Sequence, residues 1–600
     1  MKGHEHVRHA FIFIVSYMLL AAPAPGHQPG SSARPIVIRN VSVIDVMTGT
    51  IRGGVTVTIS NQRIKAIEPG ARSEVASDAR VVDGSGKFLI PGLWDMHVHW
   101  YDERFLPLFT ANGVTGIRQM WGQPVHFDWR ERVKSQRLTA PRQYIASTIV
   151  DGPSPVWPGS LVVTNDTEAR SAVEKLQGLG FDFIKVYERL SRDAYFAIAA
   201  EAKARGLSFG GHVPRSITAL EAAKVGQRSI EHLSGVLLGT SSLEGDLKHQ
   251  RAELLAGGRG MNTATRDAMR ALDERLLATY DETKASTLFA AFVAHGTWHC
   301  PTLTVLRSLA SLDDPAFTAD PRLKYMPVSI RNSWMPTNDV RFASKGPADY
   351  AMGKRLFGKN LEVVGAMRRA GVKFLAGTDA LNPFAFPGFS LHDELELLVE
   401  AGLTPLEAIQ SATINAAEYV GQSREVGTIE VGKAADVVLL DANPLAKIAN
   451  TKRIAAVVIG GQLLQRAELD RVLTVAERTA NLKSISDTLF RMIETKGIAA
   501  AVVLYQDLRA NARETYDFHE DELNELGYRL VEGKKVADAI EVFRLNVEAY
   551  PNSANVYDSL AEAYAVAGKV PLAIENYEKS LQLNPKNESA RTALQKLRNK

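Results

Sequence analysis

The chain has 600 residues, more than one ordinary hydrophobic core serves, so three or four units are expected, fewer if one is a large barrel. Hydrophobic residues at 45% and charged residues at 23% exclude a mainly disordered, a collagen-like and a multi-span membrane protein. Lys+Arg 70 against Asp+Glu 67 leaves +3, which gives no pull toward nucleic acid, and the single Cys300 excludes an internal disulfide.

At the start, Lys2 and Arg8 precede an apolar run from Phe11 to Ala22, and Ala-Pro-Gly sequence follows. That order predicts a secretory signal peptide over 1–26, and hence a secreted or periplasmic protein with no membrane attachment after cleavage. Residues 34–90 read as short strands between Gly, Asn and Asp breakers, and so do 427–445 and 454–464. The two stretches, 34–90 and 421–466, are expected to build one small composite β-sandwich. Gly84-Ser85-Gly86-Lys87 lacks the spacing and the following Ser/Thr of a phosphate loop.

Residues 91–420 alternate apolar runs with helical patterns. Counted from residue 88, the runs lie at 88–99, 113–120, 143–151, 181–187, 207–213, 228–233, 296–305 and 372–380. Eight strand–helix units predict a (β/α)8 TIM barrel in an α/β fold. The stretches 234–295 and 306–360 are long for connections and read as helical insertions over the barrel mouth. Residues 468–600 read as all-helical. A 34-residue period relates Leu526 to Leu560, Ala539 to Ala573, Phe543 to Tyr577 and Pro551 to Pro585. The period resembles tetratricopeptide repeats, clearest over 524–600, and predicts a surface for a protein partner or a second copy of the chain.

Polar residues close several of the apolar runs, at the end where barrel enzymes keep their sites. His97 and His99, two apart on one strand, share a face. His212 ends the fifth run, His232 the sixth and Asp379 the eighth, and Lys185 lies near the end of the fourth. Imidazoles with a carboxylate suit zinc or a similar metal. Lys185 has two readings, a salt bridge to Asp379 or a surface neighbour, or a carbamate formed with CO2 that bridges two metals.

The segments PGLWDMHVH, FIKVY, GGHVPRS, SIEHL and AGTDA, in that order, resemble the metal-dependent amidohydrolase superfamily, closest to its imidazolonepropionase-like and prolidase-like branch. The resemblance covers about 34–466. It implies two divalent metals, zinc by expectation, with His97, His99, N6-carboxylated Lys185 and Asp379 on one and the same carbamate, His212 and His232 on the other. It implies a hydroxide drawn from a bridging water, attacking a carbonyl, with Asp379 as general base and then acid.

Tyr101, Tyr187 and Arg215 follow ligand positions and are candidate contacts to a small-molecule substrate, Arg215 to a carboxylate and Tyr187 to an oxyanion. Trp100, Arg118, Gln119 and Trp121 are further candidates for the pocket wall. The alternative for Trp100, Tyr101, Tyr187 and Arg215 is that the aromatics pack under the insertions and Arg215 meets solvent. His126, His249, His392 and His519 show no partner pattern. His295 and His299, four apart, form a minor rival pair with no carboxylate beside them.

The expected activity is cleavage of an amide or peptide bond in a dipeptide, Xaa-Pro included, or an N-acyl amino acid. The alternatives are a cyclic-amide or lactone hydrolase, and a non-catalytic repeat-based binding protein.

Overall fold

The computed structural model describes residues 34–70, 77–256, 262–585 and 587–599; the expected signal peptide lies outside them. No helix among the described residues is long and apolar enough to cross a membrane. The chain divides into two compact units, one of residues 31–122 and 130–477 and one containing 123–129 and 478–600.

In the larger unit, strands from both flanks pair directly. Phe88–Pro91 runs parallel to Ile36–Ile44 and antiparallel to Val437–Leu440, with Leu89 opposite Leu439. Because that strand bonds to a neighbour on each side, the flanks form one continuous eight-stranded sheet rather than two separately bonded layers. Its β-branched residues, among them Val41, Val43, Val57, Ile59, Val437 and Val458, share one buried core.

The single run expected at 88–99 therefore splits. Phe88–Pro91 joins the flanking sheet, and Leu93–Val98, buried throughout, begins a second set of strands. Leu93–Val98, Val114–Gln119 and Arg142–Ile145 are successively parallel. A parallel bridge from Ala146 to Phe183 reaches Phe183–Val186, which pairs on to Ser208–Gly211, Ser229–Glu231 and Trp298–Cys300. Parallel bridges from His299 to Phe374 and from Val98 to Ala380 bring the eighth segment in and return to the first. Eight parallel segments thus follow one another round a ring, the arrangement a (β/α)8 barrel has.

The eighth segment carries only those two bridges. Its amides bond to both neighbouring strands: Leu375 N–H donates to the His299 carbonyl at 2.9 Å and Asp379 N–H to the His97 carbonyl at 2.7 Å, while Thr378 N–H donates to the Asp95 carboxylate at 3.0 Å. Helices lie over this ring and in the two long connections, including Glu244–Ala256, Thr263–Ala278, Glu282–His295 and Pro347–Arg369. Asn262 and Asp281 cap two of them through side-chain oxygens.

The C-terminal unit is almost wholly helical. Glu520–Glu532 and Ala554–Val566 start 34 residues apart, as do Val536–Ala549 and Val570–Leu583. Leu526 and Leu560, Ala539 and Ala573, and Phe543 and Tyr577 all enter one core.

Glu520 is buried in that unit, 2% exposed, with Ser553 and Asn555 as donors at 3.2 Å. Burial outweighs those bonds and pushes its carboxyl up to about 7. An acid raised in the folded state stays protonated while the unfolded chain ionises. Stability is therefore lost as pH rises from about 4.5 to 7 and stays lost above it. Glu520→Gln removes this loss. Its melting temperature relative to the wild type is expected to be higher at pH 8 than at pH 5 by on the order of 5 °C. Thermal unfolding at both pH values checks it, and a pH-independent difference would refute the protonation argument.

Candidate active site

The ends of the ring's strands bring most of the predicted ligands together. His97 Nε2 lies 3.3 Å from Asp379 Oδ1, and His99 Nε2 lies 3.0 Å from the same oxygen. His232 Nδ1 is 3.8 Å from Asp379 Oδ2. The His97 and His232 rings are 4.6 Å apart, and the His212 ring is 4.8 Å from that of His232. Two of these residues reach the cluster by leaving the strand conformation: His232 has φ 57° and Asp379 φ 58°. Left-handed backbone at non-glycine residues costs about 1–3 kcal/mol, and such strain concentrates at functional sites.

The donor set fits a divalent metal. His97 Nε2 and Asp379 Oδ1 are buried with no hydrogen-bond partner. Ligand atoms of His97, His232 and Asp379 all lie within 4.8 Å of one another. Burial, and then the nearby charge of Lys185, holds His97 well below the ordinary imidazole range, so its ring is neutral and has a lone pair to give. For Asp379, burial works upward, but His232, His99 and Lys185 outweigh it and bring the carboxyl down to about 2.

Lys185 is 1% exposed on Phe183–Val186. Burial pulls its amine down to about 8, against the attraction of Glu231 and Asp379. Gly377 makes the close approach of the eighth segment possible. A Cβ there would meet the His97 amide nitrogen at 2.7 Å, as well as Cys300 Sγ.

The candidate substrate residues are placed differently from one another. The Tyr187 ring lies 4.1 Å from that of His212, tilted by 37°, and its hydroxyl accepts from Trp157 Nε1 at 2.8 Å. Arg215 is half exposed and pairs with Glu188, Nε to Oε2 at 3.0 Å. Glu188 Oε1 in turn lies 3.4 Å from His212 Nδ1. Tyr101 is 38% exposed.

Trp100 is buried, and its carbonyl accepts from Gln119 Nε2 at 2.7 Å. The Trp121 and Trp157 rings are 6.4 Å apart. Arg118 is wholly buried beneath the cluster rather than in a pocket wall.

Among the described residues, the other histidines do not assemble. His392 bonds to Thr451 and to the Asn112 carbonyl, both at 3.0 Å. His249 lies exposed beside Glu253, and His126 accepts from the Gln123 amide. His519 Nδ1 is 3.4 Å from Asp521. His295 ends a helix at the surface while His299 is buried against Phe292, so the two do not share a site.

Sequence reasoning missed Glu231 and Glu188. Glu231 precedes His232, and strict strand alternation would turn it away from the face that His232 uses. The left-handed turn at His232 breaks that rule. The available signal was a pair of opposite charges, Arg118 and Glu231, inside two apolar runs, since buried charges need partners.

Residues 190–464 match the model of the family described as the amidohydrolase family. His212, His232 and Asp379 fall inside the match, and His97, His99 and Lys185 precede it. The chain is 43% identical over 89 residues to an imidazolonepropionase of Sphingopyxis alaskensis, over 15% of this chain and only 22% of that enzyme. Among solved structures it resembles a bottromycin amidohydrolase with TM-score 0.60 and 24% identity, covering 74% of this chain and 90% of that one. It also resembles a Xaa-Pro dipeptidase with TM-score 0.52 and 19% identity, covering 72% of this chain and 100% of that one. These likenesses show a shared fold.

Proposed function

We propose that this amidohydrolase-family domain is a metal-dependent hydrolase of carbon–nitrogen bonds in small molecules, with dipeptides, Xaa-Pro included, or N-acyl amino acids as substrates. The observation that carries the reading is the convergence of His97, His99 and His232 on Asp379, with His97 Nε2 and Asp379 Oδ1 buried and without a hydrogen-bond partner. The family match supports it. His97, His99 and Asp379 would hold one divalent metal, zinc by choice of donor, and His212 and His232 a second, with Lys185 as a bridging carbamate. The lowered amine of Lys185 supports the carbamate, because only a neutral amine adds to CO2. Such metals supply a nucleophile at neutral pH and polarise the carbonyl.

The chain's own residues do the rest. Asp379, ionised at neutral pH, accepts a proton from the attacking water and returns it to the leaving nitrogen. Tyr187 accepts from Trp157 Nε1, which leaves its own O–H free to donate to a substrate oxygen. Arg215 is already paired with Glu188 and must share or release that partner to hold a substrate carboxylate. We propose further that 1–26 directs export, and that the C-terminal helix pairs are tetratricopeptide-like and bind a protein partner or a second copy.

The test is a hydrolysis panel of dipeptides and N-acyl amino acids with the metal-loaded full chain. Turnover of at least one class is expected. A metal-loaded, folded chain inert on every amide offered would overturn the substrate assignment.

A further inference from the structure

Beneath the ligand cluster lies a buried ionic network that the proposed chemistry does not itself use. Glu231 and Arg118 have no solvent exposure, and Arg118 Nη2 donates to Glu231 Oε2 at 2.8 Å. His97 Nδ1 is also 2.8 Å from that oxygen. Ser229 Oγ donates to Glu231 Oε1 at 2.5 Å and shares a 3.0 Å hydrogen bond with the Tyr419 hydroxyl. Arg118 also donates through Nη1 to Ser229 at 3.0 Å and through Nε to the Met96 carbonyl, and its guanidinium lies over the Tyr419 ring at 4.9 Å. Each oxygen of the Glu231 carboxylate therefore has a donor.

We infer that Glu231, held by Arg118 and Ser229, is a positioning residue that presents His97 to a metal. The inference rests on the proposed metal-dependent reading. A carboxylate that accepts from the imidazole Nδ1–H fixes the tautomer, leaves the lone pair on Nε2 and locks the ring plane. His97 Nε2 is the atom that lies buried without a partner beside Asp379.

His97, Glu231 and Cys300 also group closely enough to suggest a second cation site. The guanidinium on Glu231 argues against it, since a cation there would face a buried positive charge at hydrogen-bond distance from its own ligand. The carboxylate is thus already committed, to the arginine and to the histidine. Arg118 is what lets a full negative charge stay at this depth. Without it the acceptor for His97 would be a buried, uncompensated carboxylate.

The experiment is competition of a chelator with the full-length chain for zinc, alongside the absorption spectrum of the cobalt-substituted chain, for the wild type and Glu231→Gln. Gln keeps the shape and one acceptor oxygen but loses the charge. Zinc affinity is expected to fall about 10- to 100-fold at unchanged fold, the range for the loss of an outer carboxylate on a ligating histidine, with an altered cobalt spectrum. The double variant Arg118→Met/Glu231→Gln leaves no buried charge unpaired, so it separates positioning from stability. It too is expected to lose at least about tenfold in zinc affinity at a wild-type melting temperature. Wild-type affinity and cobalt spectrum in either folded variant would overturn the inference and leave the pair a purely structural one. A wild-type chain that binds no zinc would overturn instead the metal-dependent reading, so the two failures are distinguishable.

Discussion

Asp379→Asn is expected to keep most of its metal and to lose at least about 10²-fold in amide turnover, the lower end for general acid–base catalysis. Asn retains a coordinating oxygen and the volume of Asp, so the left-handed turn at φ 58° and the contacts to His97 and His99 can persist. What it cannot do is accept a proton. A carboxylate brought down to about 2 is ionised across the neutral range, so the proton it takes in the reaction is a new one. The loss should be smaller on an activated ester, whose leaving group needs no proton, than on an amide. Metal content measured on the same preparation separates a ligand from a proton carrier. Equal losses on ester and amide would remove leaving-group protonation from the account, and near-wild-type amide turnover would remove Asp379 from catalysis.

Lys185→Ala should lower the zinc content from about two to about one per chain and cost at least about 10²-fold in turnover, since a two-metal site needs both ions to clamp the reacting oxygens. The reasoning starts from burial. An amine 1% exposed and pulled down to about 8 is neutral in an appreciable fraction of molecules at physiological pH. A neutral amine can add to CO2 and become an anion, which two cations would hold. A lysine that serves only as a buried cation would show the opposite behaviour: its removal would leave metal binding unchanged or strengthen it, because it removes a like charge. Elemental analysis of folded wild type and variant decides between the two. Equal stoichiometry near one in both would leave the carbamate without support.

The histidine–aspartate cluster was legible because each of its members closes an apolar run, and a polar side chain at the end of a buried strand has few reasons to be there. His97 and His99 follow from alternation alone. His232 and Asp379 were found by position in the run, although both sit in left-handed backbone that alternation does not anticipate. The same irregularity hid Glu231, which shares the interior with its sequence neighbour. Arg118 was found as a polar residue and placed on the wall. Its distance from the mouth depends on a partner 113 residues away, which no local pattern encodes.

The eighth segment was read as an ordinary strand from its apolar sequence. Its Leu375 and Asp379 amides do bond to the neighbouring His299 and His97 carbonyls, but Thr378 N–H takes the Asp95 carboxylate instead, a contact that only the closed ring creates. The flanking strands were readable from β-branched residues between breakers. That Phe88–Pro91 bonds on both edges, and so joins the two flanks in one sheet, is a matter of pairing and not of composition. The 34-residue period surfaces as residues that meet in one core, because helix pairs of equal length repeat the same buried face.

The most direct test of metal-dependent hydrolysis is turnover of the best dipeptide or N-acyl amino acid by the full chain after chelation, as zinc is added back in measured equivalents. The account predicts near-complete loss on chelation and recovery that saturates at about two equivalents per chain. Turnover that survives chelation with the metal shown to be gone would contradict it.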